Sequence, residues 1–245
     1  MPPTVEQVTE ALSRVVDPNT GKDLVTGNAL QNVRVEGDLV SFDVVLGYPA
    51  ASQIDPIRRA AVAAAQALPG VGRVAANVYQ KIEAHGVQRG LGKLPNVRNI
   101  IAVASGKGGV GKSTTAVNIA LALAAEGASV GMLDADIYGP SQPTMLGIGG
   151  KPESRDGKSL EPMTGHGIQA SSIGFLIDPD TPMVWRGPMV TQALEQLLRE
   201  TNWRDLDYLI VDMPPGTGDI HLTLAQKIPV TGAVIVTTPQ DIALL

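Results

Sequence analysis

The chain has 245 residues, of which 44% are hydrophobic and 18% are charged, and a formal net charge of −5 at pH 7, so it is long enough for one large domain or two smaller ones. It contains no cysteine, which excludes disulfides, thiol catalysis and thiolate metal sites within these residues. The acidic balance argues against a broad nucleic-acid-binding face, and the sequence shows neither a signal peptide nor a long apolar run, so we expect a cytoplasmic protein with no nucleic-acid or membrane partner.

Residues 1–82 are predicted to form a small α+β domain. Apolar residues recur at helical spacing over residues 4–16, after a capping-box pattern in which Thr4 is the N-cap and Gln7 follows three positions later. Strands over residues 29–35 and 39–46 are predicted to form a hairpin. An Ala-rich helix over residues 54–68 and a third strand over residues 71–78 complete the unit.

Residues 83–97 are predicted to be a linker, because glycines and a proline lie there among Lys and Arg residues. Residues 98–245 are predicted to form a second domain, of the α/β class. It opens with an apolar strand over residues 99–104 and continues, after a glycine-rich loop, with a helix over residues 115–125.

This loop fits the phosphate-loop pattern of a glycine, four further residues and then Gly-Lys-Ser. Glycines allow the backbone to aim successive N–H groups at phosphate oxygens, Lys112 supplies a positive charge, and the Ser113 hydroxyl is suited to Mg²⁺. The strand before the loop and the helix after it are the setting that the motif requires. The predicted nucleotide-binding residues are Gly106, Lys107, Gly108, Gly109, Val110, Gly111, Lys112, Ser113 and Thr114.

Three carboxylates follow predicted strands of the second domain. A strand over residues 128–133 leads into Asp134 and Asp136, and an apolar strand over residues 207–212 ends in Asp212 like a Walker B strand. At the carboxyl ends of parallel strands these groups would lie near the phosphate loop, where Asp212 would hold Mg²⁺ directly or through water.

The remaining elements of this domain are a strand over residues 168–173, a helix over residues 189–200 and a buried strand over residues 232–238. The segment after Asp212, which is rich in glycine and proline, is predicted to be a switch loop able to change shape. It reads Met213-Pro214-Pro215-Gly216-Thr217-Gly218-Asp219.

The two halves of the chain each resemble a known family. The order of elements in residues 1–82 is similar to that of iron-sulfur assembly domains of the SufT and PaaD type, although the same turn residues would also serve simply to shape a loop. The matching residues are Asp17, Pro18, Gly21, Leu24, Val25, Leu68, Pro69, Gly70 and Val71. In the second half, Lys107 directly after Gly106 is typical of the deviant Walker A loop of the MinD, ParA and nitrogenase-iron-protein class.

Within that class, three motifs resemble the Mrp/ApbC iron-sulfur cluster carrier ATPases. They are Asp134-Ala135-Asp136-Ile137-Tyr138-Gly139-Pro140-Ser141, Trp185-Arg186-Gly187-Pro188 and the switch segment from Met213 to Asp219. The resemblance implies a P-loop NTPase fold with a mostly parallel sheet flanked by helices, ATP and Mg²⁺ as ligands, a homodimer, and iron-sulfur apo-proteins and assembly factors as partners.

The resemblance also implies roles for individual residues. Lys107 would reach the nucleotide of the partner subunit, Lys112 would hold the β and γ phosphates, and Ser113 would ligate Mg²⁺. Asp134 and Asp212 would support the ion through water, and Asp136 would orient the attacking water. The second switch would comprise Pro214, Pro215, Gly216 and Asp219.

One departure concerns the cargo. The family carries its cluster on a Cys-x-x-Cys pair beyond the strand that ends at Thr237 and Thr238, and this chain has no cysteine. We expect that the sequence is truncated, the alternative being a relative that has lost these parts.

Two other functions remain open at this point. One is a ParA-like or MinD-like positioning switch that associates with DNA or membrane, and the other is a nucleotide-binding module without turnover. The assembly-type first domain and the segment from Pro214 to Asp219 favour the iron-sulfur carrier.

Overall fold

A computed structural model of the chain describes residues 2–87, 92–177, 187–216 and 226–241. The chain divides into two compact units, an N-terminal unit (Met1–Glu83) and a P-loop unit (Ala84–Leu245). Among the helices of the described ranges, none has the length and apolar character that crossing a membrane requires.

The N-terminal unit consists of a sheet covered on one face by helices. In chain order its elements are α1 (Val5–Leu12), β1 (Leu30–Glu36), β2 (Leu39–Leu46), α2 (Ala51–Gln66) and β3 (Arg73–Gln80). Within the described residues the strand order is β1-β2-β3, with β1 antiparallel and β3 parallel to β2. Alternate residues of β2 face the helices and are buried, namely Val40, Phe42, Val44 and Leu46, as the pleat of a half-covered strand requires.

The predicted capping box is confirmed at the start of α1, where the Gln7 amide donates to Thr4 Oγ1 and the Thr4 amide donates to Gln7 Oε1. The helix is shorter than predicted and ends at Leu12. The reason is that the chain turns back just after the helix: Val16 forms an isolated bridge with Asp23, and the Asp17 amide donates to the Lys22 carbonyl.

The P-loop unit is built around a second, larger sheet. Its elements are β4 (Val97–Ala104), α3 (Lys112–Ala125), β5 (Val130–Asp134), α4 (Gln142–Met145), β6 (Met163–Gly165), β7 (Ile168–Ser172), a 3₁₀ turn (Ile173–Phe175), α5 (Gly187–Glu200), β8 (Leu206–Asp212) and β9 (Gly232–Ile235). In the described part of the chain the strand order is β6-β7-β5-β8-β4-β9, and all neighbours are parallel except β6 and β7. This mostly parallel sheet confirms the predicted fold class.

Helices pack on this sheet in two apolar layers. One layer joins α3 to β5, β7 and β8, and it contains Val117, Met132 and Ile210. The other joins α5 to β4 and β8, and it contains Leu194 and Leu209. A sheet covered by helices on both faces brings the carboxyl ends of its central strands to one edge, where ligands bind in such folds.

Two sequence expectations for this unit are wrong in detail. Helix α3 begins at Lys112 rather than at residue 115, so the lysine and serine of the loop belong to the first helical turn. The strand β9 is not buried: Gly232 and Ala233 are exposed, and Ile235 retains 68% of its accessible surface. Its apolar residues resemble those of a central strand, but β9 is the last strand of the sheet among the described residues.

Candidate functional site

The phosphate loop connects β4 to α3 in the geometry of an anion-binding turn. Gly109 and Gly111 have φ angles of +79° and +88°, which residues with a side chain rarely adopt. Gly111 is the N-cap of α3 and provides no side-chain acceptor, so the first N–H groups of this 14-residue helix stay available to an anion. The predicted loop residues from Gly106 to Thr114 therefore lie together.

Lys112 is the buried cation of the site. Its side chain is 6% exposed, and Nζ donates to Asp212 Oδ1 and, over 3.1 Å, to Ser113 Oγ. Asp212 is the last residue of β8 and is fully buried. Because β8 lies beside β4, the Asp212 carboxylate reaches the loop that follows β4.

Asp134 lies beside Asp212 on the neighbouring strand β5, in register with it. It is fully buried and accepts four hydrogen bonds: its Oδ1 accepts one from the Asp136 amide, and its Oδ2 accepts three, from the amides of Ser141 and Gln142 and from Ser172 Oγ. Burial raises the pKa of Asp134 to about 6, because these hydrogen bonds only partly offset the loss of hydration and the charge of Asp212 raises it further.

Asp136 is the most accessible of the three carboxylates, with a side chain 12% exposed. Its Oδ2 lies 3.9 Å from Lys112 Nζ, and its Oδ1 accepts from the Gly139 amide over 3.3 Å. Burial raises the pKa of Asp136 above its usual value, and the nearby ammonium acts in the opposite direction.

Gln142, the first residue of α4, connects the parts of the site. Its side-chain amide donates to Asp212 Oδ2 over 2.8 Å and to the Ser113 carbonyl over 3.2 Å. Its backbone amide donates to Asp134 over 3.1 Å. The residue is 1% exposed, so it links the phosphate loop to both buried carboxylates from within the core.

The beginning of the predicted switch loop runs beside the phosphate loop. The Met213 amide donates to the Val103 carbonyl, and the Gly216 amide donates to the Ser105 carbonyl, each over 2.9 Å. The side chain of Pro215 lies 3.9 Å from the position that a Cβ on Gly108 would take. Pro214, Pro215 and Gly216 are thus adjacent to the loop, whereas Asp219, like Trp185 and Arg186, lies outside the described residues.

The two loop lysines differ in environment. Lys112 is buried against the carboxylates, whereas Lys107 is exposed and its carbonyl accepts from Ser105 Oγ over 3.0 Å. The side chain of Lys107 is therefore accessible from outside the loop.

The donor set fits Mg²⁺ held together with phosphates. The Ser113 hydroxyl and the carboxylates of Asp134 and Asp212 supply hard oxygen atoms. In the adjacent residues Ser141 and Gln142, the side-chain oxygens Oγ and Oε1 are buried without a hydrogen-bond partner. Within the described ranges, His, Asp and Glu side chains nowhere form a group of three or more that could hold an ion by themselves. In proteins, Mg²⁺ usually binds one or two carboxylates together with phosphate oxygens and several water molecules.

Sequence reasoning missed Gln142 and Ser172. Gln142 is 70 residues from Asp212 in the chain, and Ser172 is 38 residues from Asp134. Neither residue belongs to a periodic pattern. The one available signal was position: Gln142 follows the Asp134-to-Ser141 motif directly, and Ser172 lies in the strand predicted over residues 168–173.

Comparison with known proteins gives matches over both units. A family model described as NUBPL iron-transfer P-loop NTPase matches residues 96–245, and one described as iron-sulfur cluster assembly protein matches residues 5–78. A Synechocystis protein named iron-sulfur cluster carrier protein is 50% identical over 99% of this chain and 70% of its own length. An Escherichia coli protein of the same name is 50% identical over 97% of this chain and 65% of its own length.

Among solved structures, a nucleotide-binding protein from Archaeoglobus fulgidus in complex with ADP is 42% identical, with a TM-score of 0.52. The match covers 60% of this chain and 56% of that one. The matches to this chain thus cover between 56% and 70% of the length of these relatives.

Proposed function

The chain belongs to the family of NUBPL-type iron-transfer P-loop NTPases, and from this membership we propose that it binds and hydrolyses ATP with Mg²⁺ as part of a carrier that assembles iron-sulfur clusters and transfers them to apo-proteins. The observation that supports this most is the arrangement of Lys112, Ser113, Asp136 and Asp212 around the phosphate loop. The names of the relatives support the carrier function and do not favour the positioning switch.

Nucleotide binding would exchange the partner of Lys112. Its ammonium group pairs with Asp212, and the β and γ phosphates would compete for this charge. Asp212, once released, would face the metal together with the Ser113 hydroxyl, and Asp134 would support them. Mg²⁺ would neutralise charge on the phosphate oxygens during transfer.

Asp136 is the carboxylate best suited to orient the attacking water. It retains access to solvent, whereas Asp134 and Asp212 are fully buried. It also lies close enough to Lys112 to be directed toward the γ phosphate. Catalysis of this kind depends on positioning and charge neutralisation rather than on a covalent intermediate.

Lys107 would act across a homodimer. Its exposed side chain is suited to reach the nucleotide of a partner subunit and to neutralise charge there, as an arginine finger does. The segment that begins with Pro214, Pro215 and Gly216 and continues to Asp219 would respond to the γ phosphate as a switch.

The cluster is a cargo that this stretch of chain does not ligate through thiolates, because its 245 residues include no cysteine. The carrier activity is therefore proposed for the whole protein at the length of its relatives. We further propose that residues 1–82 are an assembly domain that contacts assembly factors or apo-proteins, joined by a linker over residues 83–97 to the ATPase domain over residues 98–245.

Nucleotide chemistry is tested by comparing Lys112→Ala, Lys107→Ala and the control Lys227→Ala for ATP binding and phosphate release. Lys112→Ala should abolish hydrolysis and weaken binding, whereas Lys107→Ala should lose hydrolysis but keep most of the binding. Lys227 pairs with Glu195 on the surface, so its variant should behave as the parent does. Equal loss of affinity in the Lys107 and Lys112 variants would contradict the action of Lys107 on the partner subunit.

The carrier function is tested by anaerobic reconstitution with iron and sulfide at the full length of the relatives, with the cysteine-free chain as the control. The full-length protein should show cluster absorbance and transfer it to an apo-protein, and the control should remain colourless. Absence of a cluster, together with ATP-dependent binding to DNA or lipid vesicles, would reject the carrier in favour of a positioning switch.

A further inference from the structure

Two side-chain oxygens in the described part of the chain are buried without a hydrogen-bond partner, and they belong to consecutive residues, Ser141 and Gln142. Buried polar atoms are nearly always paired, since an unpaired one costs free energy. The backbone amides of both residues donate to Asp134 Oδ2, over 3.0 and 3.1 Å. The two unpaired oxygens therefore belong to residues anchored on a carboxylate of the proposed Mg²⁺ site.

The orientation of the Gln142 amide group follows from its neighbours. Its nitrogen faces Asp212 Oδ2 and the Ser113 carbonyl, and these two groups can only accept hydrogen bonds at neutral pH. Reversing the amide would place its oxygen against two other oxygens, so these hydrogen bonds determine the orientation of the amide group. Gln142 Oε1 is consequently a pure acceptor, held in the core beside the groups that would bind the ion.

We propose that Ser141 and Gln142 are positioning residues for Mg²⁺, an inference that rests on the proposed function. Their buried oxygens accept hydrogen bonds from water bound to the ion that enters with the nucleotide. A water molecule bound to a divalent cation is a strong hydrogen-bond donor, and a donor is the partner that Ser141 Oγ and Gln142 Oε1 lack. Through its amide nitrogen Gln142 also fixes Asp212 relative to Ser113. Partners of this kind around a metal site typically change affinity by about 10- to 100-fold when removed.

The test uses Ser141→Ala and Gln142→Met, with Gln169→Met as the matched control. Gln169 lies in β7 of the same sheet, and both ends of its side-chain amide are paired, with the carbonyl and the amide of Arg204. Mn²⁺ or Mg²⁺ is titrated calorimetrically into the complex of each variant with ADP, and ADP affinity is measured separately in the presence of a chelator. Urea unfolding gives the stability of each variant.

Both site variants should bind the metal about 10-fold more weakly or worse, while metal-free ADP affinity stays within about 2-fold of the parent. The Ser141→Ala variant should be at least as stable as the parent, because it removes an unpaired buried hydroxyl. This combination of unchanged stability and weaker metal binding distinguishes a role toward the ion from a purely structural one. The Gln169→Met variant should keep the metal affinity of the parent.

Unchanged metal affinity in Ser141→Ala overturns the proposal, even if Gln142→Met fails to fold. If Gln142→Met loses stability but keeps its metal affinity, the proposal is overturned as well. In either of these outcomes, the proposed function still holds as long as the parent binds ADP. If the parent itself binds no ADP, the proposed function fails and this inference fails with it.

Discussion

Replacing Lys112 by methionine should destabilise the P-loop unit strongly, even in the absence of nucleotide. Methionine keeps most of the length of the side chain but removes the charge that pairs with Asp212. The carboxylate is fully buried, and after the substitution its remaining described donor is the amide of Gln142. Two further carboxylates, Asp134 and Asp136, lie nearby, and no second cation is paired with Asp212 among the described residues.

The expected loss is about 3 to 5 kcal/mol of unfolding free energy, the usual result of leaving one partner of a buried ion pair without the other. The double variant Lys112→Met/Asp212→Asn should recover about 2 kcal/mol relative to the sum of the single effects. It does so because the asparagine oxygen can still accept from Gln142 and no buried charge is left alone.

The assay is urea unfolding followed by tryptophan fluorescence. Both tryptophans of the chain, Trp185 and Trp203, lie in the P-loop unit, and Trp203 is buried in its core, so the signal reports this unit selectively. With an m-value of about 2 kcal/mol/M, the midpoint should fall by about 2 M. Lys227→Met, which breaks the partly exposed pair with Glu195, should cost less than about 1 kcal/mol.

A Lys112→Met variant no less stable than the Lys227→Met control would refute this reasoning. So would a double variant whose loss equals the sum of the two single losses. Either result would mean that the charge of Asp212 is satisfied by groups other than Lys112.

Three further outcomes follow from the structure. Gly131→Ala should cost about 1 to 3 kcal/mol in urea unfolding, because its Cβ would lie 2.5 Å from a buried leucine methyl group of β8; full stability would contradict this close approach. Tyr48→Phe removes the hydroxyl that donates to the buried Asp17 carboxylate, so amide hydrogen exchange in β2 should accelerate by about 10-fold or more. Tyr79→Phe, at an exposed residue, should leave the exchange rates in β2 unchanged. The pKa of Asp134 is raised from 3.8 to about 6, so between these pH values the folded state binds more protons than the unfolded state, and the contribution of Asp134 to stability falls as pH rises from about 4 to 6. Relative to the Asp134→Asn variant, the parent should therefore lose up to about 3 kcal/mol of unfolding free energy over this range. Parallel pH profiles of unfolding free energy for the two proteins would contradict this expectation.

Much of this fold could be predicted from patterns local in sequence. The capping box at Thr4, the strand before the phosphate loop and the helix after it depend on residues a few positions apart, and they are confirmed. The position of Asp212 beside Lys112 was also predictable, because parallel strands bring their carboxyl ends to the same edge.

The rest depends on partners distant in the chain. Nothing in the local pattern around Gln142 indicates that its amide group would join Ser113 to Asp212. The burial of strand β9 could not be predicted for the same reason. An apolar run predicts a buried strand, but the neighbours that bury it are determined by the order of strands in the sheet.

The balance of charge around Lys112 has a consequence for how ligands bind. The ammonium group of Lys112 pairs with the carboxylates of Asp212 and Asp136. Asp134 lies beside Asp212 on the neighbouring strand, so three carboxylates and one ammonium group give the site a net negative charge before any phosphate binds. A nucleotide alone would add like charge, and a divalent cation alone would lack the phosphate oxygens that complete its shell. The two ligands should therefore bind with positive cooperativity, each raising the affinity for the other by the same factor.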